Sequence, residues 1–348
     1  MKEHKRLKLE SIQGLRFFAA FLVVATHITD FISERVNDVP NHYWHTGLTG
    51  VDVFFVISGF IMAYTTKVDG RLDWAEFLIR RITRIVPLYW IATMLKIVLV
   101  MIFAEEARHS DNNLVHILAS FAFIPWLNMD HEYLPVIPAG WTLNYEMFYY
   151  ILFTAALFMK IKPLIFCGAV FAALVLAGNL FTITGIASYY TDPIVFEFIF
   201  GMLIAFLIRR NSTRYDAYIG GVLIVLGASL IFLVSPDDWV INHRWLVWGG
   251  AGAALVSGAL FMDRHGIRLV PQWMVRLGDA SYSLYLFHAM IIPGIILLCL
   301  DMGIKQNAVV FVLSMAASIG GSYLIYLYVE KPLTEWFKIK RRSLIPAG

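Results

Sequence analysis

The chain has 348 residues, 59% of them hydrophobic and 15% charged, with a net charge of +3 and a mean hydropathy of +0.68. Soluble domains hold about 45–50% apolar and about 25% charged residues, so this composition excludes a soluble globular enzyme and implies a polytopic membrane protein. The two cysteines, Cys167 and Cys299, both lie inside apolar runs, so no disulfide framework is suggested.

The basic start MKEHKRLKLE, with Lys2, Lys5, Arg6 and Lys8, leads into an apolar run at 11–33. No small-residue cleavage site follows that run, so it reads as a retained helix. A bilayer core takes about 20 apolar residues. Runs of that kind recur at 50–67, 82–103, 141–159, 163–181, 193–208, 217–234, 245–262, 281–300 and 307–329. The fold class is therefore all-α, a bundle of about ten transmembrane helices. A shorter run at 114–127 holds His116 and Pro125 and reads as a span or as an interfacial or re-entrant helix.

Charge orients the spans. With ten spans and a cytoplasmic N-terminus, the outside loops hold Arg35, Arg108, Arg244 and Lys305. Arg16 and Lys96 fall within spans, and the remaining 22 of the 28 Lys and Arg, Lys67 and Arg71 among them, lie inside. That is the positive-inside pattern. A full crossing by 114–127 would swap every later loop and dissolve it. Both termini are expected in the cytoplasm, and 1–348 is expected to form one transmembrane domain. The longest loop, about 104–140, is outside and carries Glu105, Glu106, Asp111, Trp126, Asp130, Glu132 and Tyr133. Its aromatics suit stacking on sugar rings or an interfacial belt.

Charged residues inside spans cost at least about 2.5 kcal/mol at the bilayer centre, so they usually serve a function. The first span, SIQGLRFFAAFLVVATHITDF, holds Arg16, His27 and Asp30. The eleven residues from Arg16 to His27 make about three turns and about 16 Å, so both project from a similar face. Asp30 is one turn beyond and can share the side of His27. Plainer explanations stay open: snorkelling for Arg16, a packing hydrogen bond for His27, outer water for Asp30.

In GLTGVDVFFVISGFIM, residues 47–62, Asp52 opens the second span from outside, where a helix N-terminus favours an acid. Gly59 suits close helix packing, and Ser58 lacks the GxSxG context of a nucleophile elbow. In FLIRRITRIVPLYW, residues 77–90, Arg80, Arg81 and Arg84 stand at the start of the third span. Arg81 and Arg84 share a face. They suit bidentate phosphate binding or simply anchor the loop inside. Pro87 is expected to kink the helix.

In GWTLNYEMFYYIL, residues 140–152, Glu146 enters from the outside among aromatics, with Trp141 and Tyr145 at the interface. Its carboxylate can take a proton, bind sugar hydroxyls or face water. In LGDASYSLYLFHAMIIP, residues 277–293, Asp279 is expected to cap the following span. His288 is a second intramembrane histidine, for packing or for function. No HExxH, Walker A, CxxC or EF-hand pattern occurs, and no metal ligand set is apparent.

Five of these segments, in this order, resemble the membrane-bound acyltransferase-3 family, which O-acylates sugars. QGLRFFAAFLVVATH is similar to the family's first helix, with its Arg and His separated by ten residues. GVDVFFVISGF resembles the second, and RRITRIVPLYW the Arg-x-x-Arg segment. WTLNYEMFYY resembles the Trp-Ser-Leu-x-x-Glu-x-Phe-Tyr motif, departing from it at Thr142 and Asn144 toward the exopolysaccharide-production branch. LGDASYSLYLFH resembles the late-helix motif. The likeness spans about residues 10–330.

The resemblance implies a multi-pass protein of the bacterial inner membrane. It implies an acyl-CoA donor in the cytoplasm, acetyl-CoA by default, and a saccharide acceptor outside or lipid-linked. Neither a metal nor nucleic acid is implied. Arg16, Arg81, Arg84 and Arg80 would hold the CoA phosphates. His27 would be the general base or an acyl relay, with Asp30 or Glu146 orienting it. Asp52, Trp141, Tyr145 and His288 would contact the acceptor. A transporter or flippase of a lipid-linked saccharide would use the same basic and aromatic ends without chemistry.

Overall fold

The computed structural model describes residues 9–39, 44–66, 74–102, 113–210 and 212–344. Lys2, Lys5, Arg6, Lys8, Lys67, Arg71, Glu105, Glu106, Arg108 and Asp111, singled out above, lie outside these. Among the described residues all regular structure is helical. The first half contains α1 (Glu10–Arg35), α2 (Thr49–Thr65), α3 (Trp74–Ile102), α4 (Leu114–Phe121), α5 (Trp141–Phe158) and α6 (Pro163–Leu180). It is followed by α7 (Ile186–Tyr189), α8 (Phe196–Ile208), α9 (Asp216–Leu233), α10 (Asp238–Asn242) and α11 (Arg244–Arg264). The chain closes with α12 (Gln272–Asp279), α13 (Ser281–Asp301), α14 (Asn307–Ile325) and α15 (Lys331–Leu344).

Each of the ten expected spans coincides with a helix, and eight helices among the described residues are long and apolar enough to cross a membrane. The other two expected spans are α5, diluted by aromatic hydroxyls, and α8, a shorter apolar helix continuous with the turn Pro193–Val195. The run 114–127 does not cross: α4 has 8 residues, or about 12 Å.

Two boundaries differ from the hydropathy reading. Helix α3 begins at Trp74, because Glu76 and Arg80, an i,i+4 ion pair, extend it on the polar side. Arg80, Arg81 and Arg84 therefore stand within the helix rather than at its start, and the helix runs on through Pro87. Helix α14 passes through a π turn, Tyr326–Glu330, into α15, so one 34-residue helix covers Asn307–Lys340.

Helix α1 is central, packing against α2, α11, α12, α13 and α14. One very close crossing joins α2 to α8. A Cβ on Gly59 would lie 2.0 Å from the Phe198 carbonyl oxygen, and one on Gly201 2.0 Å from that of Val56. Both obstacles are backbone and cannot rotate away. Gly59→Ala is therefore expected to destabilise by about 1–3 kcal/mol or more through overpacking. Gly168→Ala, whose Cβ would meet nothing within 4 Å, should be neutral. Thermal unfolding of the two variants in the same detergent decides this; equal melting temperatures would refute the tight crossing.

Candidate functional site

Helices α1, α2, α3, α5 and α13 enclose a cavity of about 280 Å³. Arg16 and Gln13 reach it from α1, Ser58 from α2, Arg81 and Arg84 from α3, Glu146 and Tyr150 from α5, and Tyr282 and Tyr285 from α13. The periodicity of each helix explains the grouping: Arg81 and Arg84, and likewise Glu146 and Tyr150, are one turn apart and share a face.

Three guanidiniums thus face one carboxylate across the cavity. Among the described residues Arg81 and Arg84 form no ion pair or side-chain hydrogen bond, and Arg16 has only a 3.5 Å contact with Gln13. Arg81 lies over the Phe77 ring, 5.6 Å from its centroid. Glu146 is satisfied locally: Ser58 Oγ donates to its Oε1 at 2.7 Å, and Tyr150 OH donates to the same oxygen. Arg80 points elsewhere, paired with Glu76 and exposed.

Two further carboxyl groups stand behind this cavity. The π turn carries Glu330 inward, where it is 6% exposed and accepts a 2.6 Å hydrogen bond from Ser283 Oγ. Such turns are frequent at functional sites. Asp279 is the last residue of α12, and it does not cap α13: the N-cap there is Ala280, without a side-chain bond. Partial burial raises the Asp279 carboxyl above its ordinary value, while Arg16, Arg84 and Lys331 pull it back down.

His27 is not among the residues lining the cavity. Its ring is part-buried and faces His288, centroids 5.1 Å apart at 37°, and it makes no hydrogen bond with the described residues. His288 is fully buried. Its Nδ1 lies 3.0 Å from the Leu284 carbonyl oxygen. A carbonyl only accepts, so Nδ1 carries the hydrogen and Nε2 presents its lone pair, which has no partner. Tyr285 connects the two regions: it lines the cavity and its ring is 6.1 Å from that of His288. Asp30 makes no hydrogen bond to His27; the charged groups that act on it are Glu34 and His45.

The residues expected at an outer acceptor surface are largely enclosed. Tyr145 is 3% exposed, stacks on Tyr189 at 4.3 Å and donates its hydroxyl to the Tyr189 carbonyl. Tyr189 in turn donates to the Trp141 carbonyl at 2.7 Å, closing an aromatic clamp. Asp52 is not a solvent-facing helix start. It is wholly buried and held by Arg244 through two bonds, 3.1 Å from Nε and 2.7 Å from Nη2. Glu197, also fully buried, lies within electrostatic reach of both.

Sequence reading missed Arg244, Glu197 and Glu330 as partners. Glu197 carried a usable signal, an acid inside the apolar run 193–208, whereas Glu330 falls just past the run 307–329. Among the described residues no group of three His, Cys, Asp or Glu side chains is arranged to hold a metal.

The acyltransferase domain family matches residues 9–327. The chain is 32% identical over 315 residues to the exopolysaccharide production protein ExoZ of Rhizobium meliloti (strain 1021), covering 88% of this chain and 96% of that protein. It is 27% identical over 318 residues to acyltransferase MdmB of Streptomyces mycarofaciens, covering 82% of this chain and 79% of that protein. No solved structure is significantly similar. Helices long and apolar enough to cross a membrane and a family match across nearly the whole length lead to one conclusion: the chain belongs to the acyltransferase-3 family and is a multi-pass membrane acyltransferase.

Proposed function

We propose that the protein transfers an acyl group, acetyl by default, from acyl-CoA bound at the arginine chamber to a hydroxyl of a polysaccharide sugar or its lipid-linked precursor. The single observation behind this is the trio Arg16, Arg81 and Arg84, three cations without an ion-paired partner around one cavity. Part-buried guanidiniums without an ion-paired partner suit an anionic ligand, and guanidiniums bind phosphate bidentately. A phosphate-bearing donor supplies the missing anions. The positive-inside imbalance supports a cytoplasmic chamber in the bacterial inner membrane. The similarity to ExoZ supports an exopolysaccharide acceptor.

His27 acts as general base in this reading, taking the proton of the acceptor hydroxyl. The thioester end of the donor would pass Phe54 and Tyr285, both of which line the chamber, to reach the imidazoles. Glu146, bound to Ser58 and Tyr150, stays on the donor side.

The test uses purified protein in nanodiscs with labelled acetyl-CoA and a polysaccharide acceptor. Release of free CoA with label on the saccharide is the expected result; a transporter would leave the thioester intact. Charge-assisted hydrogen bonds are worth about 1.5–3 kcal/mol each. The double variant Arg81→Ala, Arg84→Ala should therefore raise the donor KM about 100-fold or more while saturated turnover changes little. Arg80→Ala, exposed and outside the cavity, is the control. An unchanged KM in the double variant would refute the chamber as the donor site.

A further inference from the structure

The chamber stops one turn short of the imidazoles. On α13 its lining residues are Ser281, Tyr282 and Tyr285, and His288 follows on the same face. The Gln13 backbone packs against Gly278, so the Ser281 end of α13 is level with Gln13 and Arg16, and Tyr285 marks the far end. There Tyr285 meets Phe54 of α2, ring centroids 5.7 Å apart at 68°, edge against face. Beyond this pair the Tyr285 ring is 6.1 Å from that of His288, which is 5.1 Å from that of His27.

Neither ring is free to swing aside. Tyr285 OH donates to the Ala139 carbonyl at 2.8 Å and lies 2.8 Å from Thr142 Oγ1, so the ring is anchored at its tip as well as at its helix. Phe54 has no polar tether. Three buried apolar clusters make up the core among the described residues, however, and Phe54 is the one side chain packed against all three. It is still only part-buried, and it lines the chamber. A close-packed interior passes any displacement on to its neighbours. Phe54 can therefore yield a little, and the resistance rises with the width of what pushes between the rings.

Width and length are different demands on such a slot. A straight acyl chain presents one methylene at a time, whatever its length. A chain branched at the carbon next to the carbonyl presents two methyl groups abreast. Resting on the donor reading above, we infer that Phe54 and Tyr285 form an aperture that selects the acyl donor by width. Unbranched acyl thioesters reach the imidazoles, and those branched next to the carbonyl are refused. Phe54 is the specificity-determining residue and Tyr285 the fixed side of the slot; neither takes part in the chemistry.

Butyryl-CoA and isobutyryl-CoA are isomers, so they differ in width with no change in composition. The nanodisc assay offers them together, one carrying a heavy-carbon label, and mass spectrometry reads the ratio of the two esters on the saccharide. That ratio reports relative kcat/KM, and any misfolded fraction cancels from it. Wild type should favour the straight isomer about tenfold or more, the lower end of what one ill-fitting methylene costs in an apolar site. Phe54→Leu should cut that preference by about the same factor, and Phe54→Trp should raise it above wild type. Phe60→Leu alters a fully buried ring on the same helix that does not line the chamber, and it should keep the wild-type ratio. Tyr285→Phe keeps the ring and removes its anchor; it should lower the ratio, and it decides the matter if the Phe54 variants are inactive. A ratio unmoved by the Phe54 and Tyr285 variants overturns the aperture. So does a wild type that cleaves acetyl-CoA but uses, or refuses, both isomers alike. Either result leaves the donor reading intact. A wild type that cleaves no thioester overturns the donor reading and the aperture together.

Discussion

Replacing His27 with alanine should reduce acyl transfer by about 10²–10⁴-fold, the range a positioned general base contributes, while the protein still folds. The structural half of that expectation follows from what His27 lacks. It is part-buried, makes no hydrogen bond with the described residues, and touches the His288 ring alone among aromatic neighbours. Its removal strands no buried donor or acceptor. His288→Ala is a poorer probe, because that ring is fully buried and its Nδ1–H satisfies the Leu284 carbonyl. The split between constants carries the assignment: His27→Ala should lower kcat and leave the donor KM near wild type, since the arginine chamber is untouched. Turnover within threefold of wild type in a folded His27→Ala protein would remove His27 as the base.

The pattern of charges within apolar runs was sufficient to find the helices and to single out Arg16, Arg81, Arg84 and Glu146, each within its own segment; the family resemblance alone joined the arginines, with Arg80, and set Glu146 beside His27 instead. Those four sit on three separate helices, and the structure brings them around one cavity. What made them legible is that a charge at membrane depth is conspicuous in one dimension. Partnership is not. Asp30 is one turn from His27 and shares its side by periodicity, but the nearer aromatic partner comes from His288, on another helix entirely. Asp52 looked like an acid at a helix start, an arrangement with a local rationale; its actual partner is 192 residues away. Asp279 sat where a cap belongs, and α12 takes it instead, because that segment forms its own amphipathic helix. In each case a local rule was satisfied on paper and a tertiary contact decided the outcome.

The largest effect on stability is expected at that distant pair. Arg244→Ala should destabilise the fold by about 3–5 kcal/mol, the cost of breaking a buried ion pair. The geometry sets an order among the variants. Arg244 holds Asp52 through two bonds and has Glu197 nearby, so its loss leaves two buried carboxyl groups with no cation. Asp52→Ala leaves Arg244 with Glu197 as a fallback partner and should cost less. The double variant Asp52→Leu, Arg244→Met removes both charges and should recover part of the loss, because a matched apolar pair avoids the desolvation that the ions require. Glu197 then keeps a carboxyl without a cation, which caps the recovery. Screening should matter little for a pair in which Asp52 is wholly buried. Thermal unfolding in detergent at low and high salt measures all of this. An Arg244→Ala protein as stable as wild type, or a pair whose contribution vanishes in salt, would show that the α2–α11 contact rests on packing alone.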